Sequence, residues 1–143
     1  MLIRSISGVR GISDTDLTPE TVKRYARGLH QVLPEGVLMA GCDSRPSGED
    51  IVSVMLDELV RLGRTVILCG IVPTPTVQFM VHNTEAVGGF IITASHNPIQ
   101  WNGLKFIDAD GCFLSGNKNK KLFEIADSDQ THVSKSGSVQ SIE

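Results

Sequence analysis

Apolar and polar residues follow one another along the chain in blocks that predict alternating strands and helices. Continuous apolar runs of strand length occur at Val37–Cys42, Thr65–Cys69 and Val87–Thr93, as expected for strands covered on both faces. Leu104–Ile107 is interpreted as a fourth strand, and Leu2–Ser7 is a further short stretch that fits a strand.

Amphipathic segments between these runs predict four helices. The first begins at Thr18-Pro19-Glu20, where a capping hydroxyl precedes a proline and an acid, and it ends before Pro34. The second ends at Gly63, the third begins at Pro73–Thr76, and the fourth covers Asn117–Ala126. This alternation predicts an α/β fold, a three-layer α/β/α sandwich with a mostly parallel (mixed) four-stranded sheet.

Composition and charge narrow the class of protein. The 143 residues suffice for one domain, which we expect to cover residues 1–127, with residues 128–143 as a polar tail or interdomain linker. The net charge of −3 and the absence of a basic stripe disfavour a nucleic-acid partner. No apolar run approaches the roughly 20 residues of a membrane-spanning helix, and the three cysteines form no CxxC pair. A cytoplasmic protein without a membrane partner is the expectation.

The loop after the third apolar run carries the densest set of reactive groups. In the segment Thr93–Pro98, two hydroxyls, the His96 imidazole and the Asn97 amide follow a buried strand closely. Ligands of such sheets bind at the carboxyl ends of strands, so Ser95 is a candidate nucleophile or phosphate carrier. On the residues alone, a loop whose polar groups satisfy backbone donors and cap the next segment is the favoured alternative.

Four segments carry a resemblance to a known family. They are Ser-Gly-Val-Arg-Gly at 7–11, Gly-Cys-Asp-Ser-Arg-Pro-Ser at 41–47, Gly-Ile-Val-Pro-Thr-Pro at 70–75, and Gly-Gly-Phe-Ile-Ile-Thr-Ala-Ser-His-Asn-Pro at 88–98. In type and order they resemble segments of the first domain of the α-D-phosphohexomutases, the phosphoglucomutase/phosphomannomutase family.

The resemblance implies an activity and a role for individual residues. Ser95 would be the phosphoserine, which gives its phosphoryl group to a hexose 1- or 6-phosphate and recovers the other one from a bisphosphate intermediate. Arg10 and Lys105 match the basic residues beside the transferring group, while His96 and Asn97 match the supporting loop, with Asn97 also a phosphate-binding candidate. The family also implies Mg²⁺ bound through the phosphate of Ser95, and glucose 1,6-bisphosphate or a similar activator.

Elementary chemistry explains these residue types. Phosphoryl transfer spreads negative charge over three oxygens, so catalysis rests on positioning and on cations such as Arg10 and Lys105. Arginine offers a planar fork to phosphate oxygens, whereas lysine is a compact charge. Without the resemblance, Arg10 would be interpreted as a solvated turn residue and Lys105 as a strand-edge charge.

The resemblance covers only the first of four domains in the family. The acidic Asp-Gly-Asp-x-Asp-Arg metal segment of the second domain is absent, and Asp108–Gly111 fits a glycine-closed turn better. We therefore expect domains II–IV to be the partners of this chain, besides a hexose phosphate, and the fragment alone to be inactive.

Three alternatives stay open beside a glucose or mannose phosphomutase. A phosphoglucosamine mutase would share the serine loop, and a non-catalytic phosphosugar-binding module would keep the fold. A Ser–His hydrolase is disfavoured, because Ala94-Ser95-His96 provides no G-x-S-x-G elbow.

Overall fold

The computed structural model describes residues 1–128 and 137–142 of the chain. Eleven elements follow one another as β1 (Ile3–Ser5), β2 (Gly8–Ile12), α1 (Pro19–Val32), β3 (Leu38–Cys42), α2 (Gly48–Arg61), β4 (Thr65–Ile71), α3 (Thr74–His82), β5 (Gly88–Ile92), β6 (Trp101–Asp108), α4 (Gly116–Asp127) and β7 (Ser138–Ser141). The four predicted helices are all present, each close to its predicted bounds. In the described residues, no helix is both long enough and apolar enough to cross a bilayer.

The strands form one mixed sheet in the order β1-β2-β6-β5-β3-β4-β7. Strands β5, β3, β4 and β7 are parallel neighbours, whereas β6 is antiparallel to both β5 and β2. The predicted α/β/α fold with a mixed sheet is confirmed, but the sheet has seven strands rather than four.

The additional strands lie at the two ends of the chain, where the apolar pattern is weak. The predicted strand Leu2–Ser7 contains β1, which forms a hairpin with β2, a strand that was not predicted. Gly8 permits the turn because its φ is +147°, and a Cβ there would overlap the carbonyl oxygen of Leu104.

Strand β7 lies within the segment predicted as a polar tail or linker. Ser138 pairs with Thr65 and Ser141 with Leu68, so these residues extend the sheet beyond β4. All four side chains of β7 are exposed, which is why a search for apolar runs does not find it. The rest of the predicted tail, apart from Ser128, Gly137 and Ile142, lies outside the described residues.

The core is divided between the two faces of the sheet. The larger cluster joins α1, α2 and α4 to one face and includes the fully buried Tyr25, Phe90 and Phe106. The smaller cluster packs Val77 and Val81 of α3 against the opposite face. Because successive residues of a strand point to opposite faces, both faces of β3 and β5 are buried, as their continuous apolar runs predicted.

Candidate active site

The loop between β5 and β6 presents Ser95 at the carboxyl edge of the sheet. The Thr93 amide donates to the Gly103 carbonyl at 3.0 Å, and the Trp101 amide donates to the Pro98 carbonyl at 2.9 Å, so the base of the loop is closed. Ser95 is exposed and has a φ of +53°, the only positive φ of a non-glycine residue in the described chain. This left-handed conformation costs about 1–2 kcal/mol and persists only when its surroundings enforce it.

Hydrogen bonds of the residues on both sides of Ser95 enforce that conformation. The Ser95 amide donates to Oγ1 of Thr93 at 3.1 Å, and the Thr93 hydroxyl donates to Oδ2 of Asp43 at 2.6 Å. The amide and the Nδ2 group of Asn97 both donate to the Ala94 carbonyl, at 3.1 and 2.7 Å. Ser95 is thus held between two fixed neighbours.

Arg45, which follows β3, enforces the conformation from the carboxyl side. Its guanidinium donates to the main-chain carbonyl oxygens of Ser95 (2.8 Å), Asn97 (2.7 Å), Pro98 (2.7 Å) and Trp101 (3.1 Å). Its Nε donates to Oδ2 of Asp43 at 3.4 Å, and only 11% of the side chain is exposed. In the sequence, Arg45 stands within the segment at 41–47, and no role is predicted for it from that pattern.

Lys105 lies in direct contact with the serine. Its Nζ donates to Oγ of Ser95 at 3.2 Å and lies 5.6 Å from the centroid of the Phe113 ring. In the register of the sheet, Lys105 of β6 faces Ile91 of β5 and Gly8 of β2. The ammonium therefore belongs to a half-buried residue of a strand and not to a loop residue.

Arg10 lies on the same face of the sheet. It pairs with Gly103, two residues before Lys105, and paired residues of antiparallel strands share a face. A Cβ at Gly103 would lie 2.9 Å from Cγ of Arg10 and 2.7 Å from the Val9 carbonyl oxygen, so only glycine leaves room for this side chain. Although Asn-Gly pairs are common in tight turns, Asn102 and Gly103 both lie inside β6.

The remaining predicted residues differ in their surroundings. Asn97 turns its amide inward onto the loop, as described above. His96 is exposed, and neither it nor Arg10 has a side-chain hydrogen bond or ion pair within residues 1–128 and 137–142. The structure therefore brings Ser95 and Lys105 into contact and places Arg10 on their face, while His96 points to no described partner.

A second nucleophile close to the loop is held inactive. Cys42, at the end of β3, is buried, and burial together with the carboxylates of Asp43 and Glu49 raises the pKa of its thiol. Because the thiolate is the nucleophilic form, Cys42 remains a protonated thiol at neutral pH. The accessible hydroxyl of Ser95 has no such competitor from β3.

The described residues do not form a magnesium site by themselves. No group of three or more His, Cys, Asp or Glu side chains in residues 1–128 and 137–142 could hold a metal ion. The charged group in contact with Ser95 is the Lys105 ammonium, which does not ligate a cation. A magnesium ion here would need ligands besides the side chains of this part of the chain.

Comparisons with known proteins identify relatives of the chain. A family model described as phosphoglucomutase/phosphomannomutase, alpha/beta/alpha domain I, matches residues 2–132. The chain is 36% identical over 126 residues to a phosphoglucosamine mutase of Clostridium acetobutylicum, covering 85% of this chain and 28% of that protein. It is 41% identical over 122 residues to a phosphoglucosamine mutase of Thermoanaerobacter sp., covering 82% and 27%. The chain thus spans little more than a quarter of these relatives.

Solved structures share the fold. A putative phosphomannomutase from Thermus thermophilus has a TM-score of 0.84 at 27% identity, covering 99% of this chain and 33% of that one. A phosphoglucomutase/phosphomannomutase family protein from Burkholderia thailandensis has a TM-score of 0.81, covering 99% and 34%; its 23% identity supports the fold alone. The match over residues 2–132 identifies the chain as a member of the phosphoglucomutase/phosphomannomutase family, in the part that corresponds to domain I.

Proposed function

We propose that this chain is the phosphoserine domain of a phosphohexomutase, which interconverts hexose 1-phosphate and hexose 6-phosphate. The observation that carries the proposal is the contact between Oγ of Ser95 and Nζ of Lys105, 3.2 Å apart, on a left-handed loop residue. Arg10, on the same face and without a described partner, supports it further.

The proposed step transfers one phosphoryl group and balances as follows. A hydroxyl oxygen of the sugar phosphate attacks the phosphorus of phospho-Ser95, the P–Oγ bond breaks, and the attacking hydroxyl loses its proton. Oγ leaves with the electron pair and takes up a proton, which yields free Ser95 and a sugar bisphosphate. The reverse step, from the other phosphate of the bisphosphate, restores phospho-Ser95.

Each proposed role follows from the charge that develops in this step. The Lys105 ammonium offsets the negative charge that forms on Oγ as it leaves, and it already touches that atom. Arg10 has free donors in a planar fork that suits the equatorial oxygens of the phosphoryl group. His96 and Asn97 are proposed as supporting loop residues, with the amide of Asn97 acting mainly on the loop itself.

The proposal requires parts beyond the described residues. We propose that Mg²⁺ is bound through the phosphate of Ser95 and by ligands from a further domain, and that domains II–IV supply the rest of the sugar site. Glucose 1,6-bisphosphate or a similar compound would phosphorylate a free Ser95. A cytoplasmic location is proposed from the sequence.

The identity of the sugar has two candidates. Glucose or mannose phosphates are the substrates that we propose first, on the family resemblance. The names of the relatives at 36% and 41% identity favour glucosamine phosphate as the second candidate. A non-catalytic phosphosugar-binding module is the alternative outside enzymes.

The test compares the 143-residue chain with the product of its complete reading frame. Each is mixed with glucose, mannose or glucosamine 1-phosphate, together with Mg²⁺ and glucose 1,6-bisphosphate, and the 6-phosphate product is measured. We expect turnover with at least one sugar for the complete product, none for the 143-residue chain, and an intact mass that shows one phosphate on Ser95. Sugar-phosphate binding without turnover by the complete product would favour the non-catalytic module.

A further inference from the structure

The guanidinium of Arg45 lies inside the serine loop with all of its hydrogen-bonding capacity in use. An arginine has five N–H donors. Four of them point at the carbonyl oxygens of Ser95, Asn97, Pro98 and Trp101, and the fifth, on Nε, points at Asp43. Arg45 therefore has no free donor for a phosphate oxygen, unlike Arg10.

We propose that Arg45 is a positioning residue for Ser95 and not a phosphate ligand, and its effect on catalysis rests on the function proposed above. The four carbonyl oxygens come from both limbs of the loop, so one planar group ties the whole loop to the end of β3. Carbonyl oxygens that converge without a cation would repel one another, and the loop would open toward water.

The β3–α2 segment holds both main-chain groups of Ser95. The carbonyl of Ser95 accepts from Arg45 at 2.8 Å, while its amide donates to Thr93, whose hydroxyl donates to Asp43. Asp43 in turn accepts from the main-chain amide of Arg45 at 3.1 Å and from its Nε at 3.4 Å, which fixes the two side chains relative to each other. The left-handed φ of Ser95, which aims Oγ at Lys105, is thus imposed from residues 43–45.

Lysine is the informative replacement because it keeps the charge and loses the fork. An ammonium has three donors that diverge from one atom, so it cannot reach four carbonyl oxygens spread along a loop. Arg45→Lys separates positioning by geometry from stabilisation by charge alone. Arg64→Lys is the matched control, because Arg64 also donates to four main-chain carbonyls, at the other end of the sheet.

The first experiment reads the loop directly in the 143-residue chain. Trp101 is the only tryptophan and its carbonyl accepts from Arg45, so its fluorescence reports this loop. In Arg45→Lys we expect greater quenching of Trp101 by acrylamide and loss of the positive-φ signature in the NMR shifts and coupling of Ser95. In Arg64→Lys we expect both signals to stay as in the wild type. Unchanged signals in Arg45→Lys would overturn the proposal.

The second experiment measures kcat and KM for mutase turnover of a hexose 1-phosphate, with glucose 1,6-bisphosphate as activator, in the product of the complete reading frame. A misplaced nucleophile loses rate rather than affinity, so we expect Arg45→Lys to lower kcat about 100-fold while KM changes less than about threefold. Arg64→Lys should keep kcat within about threefold. A KM that rises with kcat preserved would identify Arg45 as a phosphate ligand and overturn the proposal.

Two safeguards keep the result decisive. If Arg45→Lys shows no cooperative melting transition, Asp43→Asn replaces it; the same shifts in Trp101 quenching and in kcat support the proposal, and wild-type values overturn it. If the wild-type complete product transfers no phosphate, the proposed function fails, while the fluorescence and NMR signals still decide whether Arg45 positions Ser95.

Discussion

Two arginines at opposite ends of the sheet use the same device on different loops. Arg64 donates to the carbonyl oxygens of four residues and to Nδ1 of His30; the four are His30, Leu33, Pro34 and Gly36. Arg45 donates to four carbonyl oxygens of the serine loop and to Asp43. Each guanidinium thereby joins several main-chain carbonyls to one rigid group.

The difference lies in the backbone that each arginine holds. Arg64 is 4% exposed and closes the end of α1, where helix carbonyls lack partners, and the left-handed residues nearby are Gly36 and Gly63. Arg45 holds an exposed loop in which the left-handed residue is Ser95. Arg64 thus stabilises a backbone without strain, whereas Arg45 maintains strain at Ser95, the residue that we propose as the phosphate carrier.

The largest expected effect is on activity and comes from Ser95, the residue with the strained backbone. In the product of the complete reading frame, Ser95→Ala should lower mutase activity at least 1,000-fold, because the covalent carrier is gone, on the scale of other catalytic nucleophiles. Its melting temperature should change little. Ser53→Ala, on the exposed face of α2, is the control and should retain activity. Activity of Ser95→Ala close to wild type would remove the functional half of the comparison.

The next effect tests the scaffold side. Arg64→Met should lower the free energy of unfolding by about 3 kcal/mol, because several buried carbonyls lose their donor. Burial lowers the pKa of Arg64, because it is unfavourable to remove the charge from water. This desolvation offsets part of the stabilisation from the hydrogen bonds. Arg45→Met should cost only about 1 kcal/mol, since the loop carbonyls can reach water. Urea unfolding followed by circular dichroism measures both, and equal losses would contradict the distinction.

Acid should weaken the scaffold through Glu58, which joins α1 to α2. Hydrogen bonds from Arg61 and Arg27 lower the pKa of this 3%-exposed carboxyl from 4.5 to about 2. A carboxyl whose pKa is lower in the folded than in the unfolded state stabilises the folded protein fully above pH 4.5. This stabilisation is lost progressively as the pH falls from 4.5 through about 2. We expect about 2 kcal/mol to be lost between pH 7 and pH 3. Urea titrations should show a shallower pH dependence in Glu58→Gln; an unchanged slope would exclude Glu58 as the cause.

The smallest effect measures the strain itself. Ser95→Gly should be more stable than Ser95→Ala by up to about 1 kcal/mol, because glycine adopts a positive φ without a Cβ penalty. At the other end, Gly63→Ala should lose about 1 kcal/mol, since its φ of +97° already demands glycine. Thermal unfolding of the three variants gives both values. Equal stability of the two Ser95 variants would mean that no strain is held at this residue.

Sequence patterns reveal the parts of this fold that are buried on both sides. Strands β3 and β5 were predicted within a residue of their bounds, because their side chains meet helices on either face. Strands β2 and β7 were missed: one contains two glycines in five residues, and the other is polar and exposed. The periodicity of apolar residues reflects burial of side chains. An edge strand that is held by main-chain hydrogen bonds and has exposed side chains therefore has no clear apolar pattern.

The candidate site shows the same division. The family resemblance pointed to Ser95 and Lys105, which the structure brings into contact, and to Arg10, which it places on their face. Register decides which residues meet across strands, and nothing in a single sequence reports that Arg10 lies opposite Gly103. The loop contacts of Arg45 have no signal in the sequence, because its partners are main-chain carbonyls, which are the same for every residue type. An arginine two positions after an aspartate at a strand end is the only local hint.

The position of β6 between β5 and β2 has a consequence for the order of events during synthesis. Arg10 leaves the ribosome well before residues 101–105, with which its strand pairs. A nascent chain that has just completed Ser95 therefore has neither Lys105 nor a docking place for β2. Its hydroxyl gains the contact with the Lys105 ammonium only after β6 has been made and has paired with β5, so the serine loop depends on a strand that is synthesised after it.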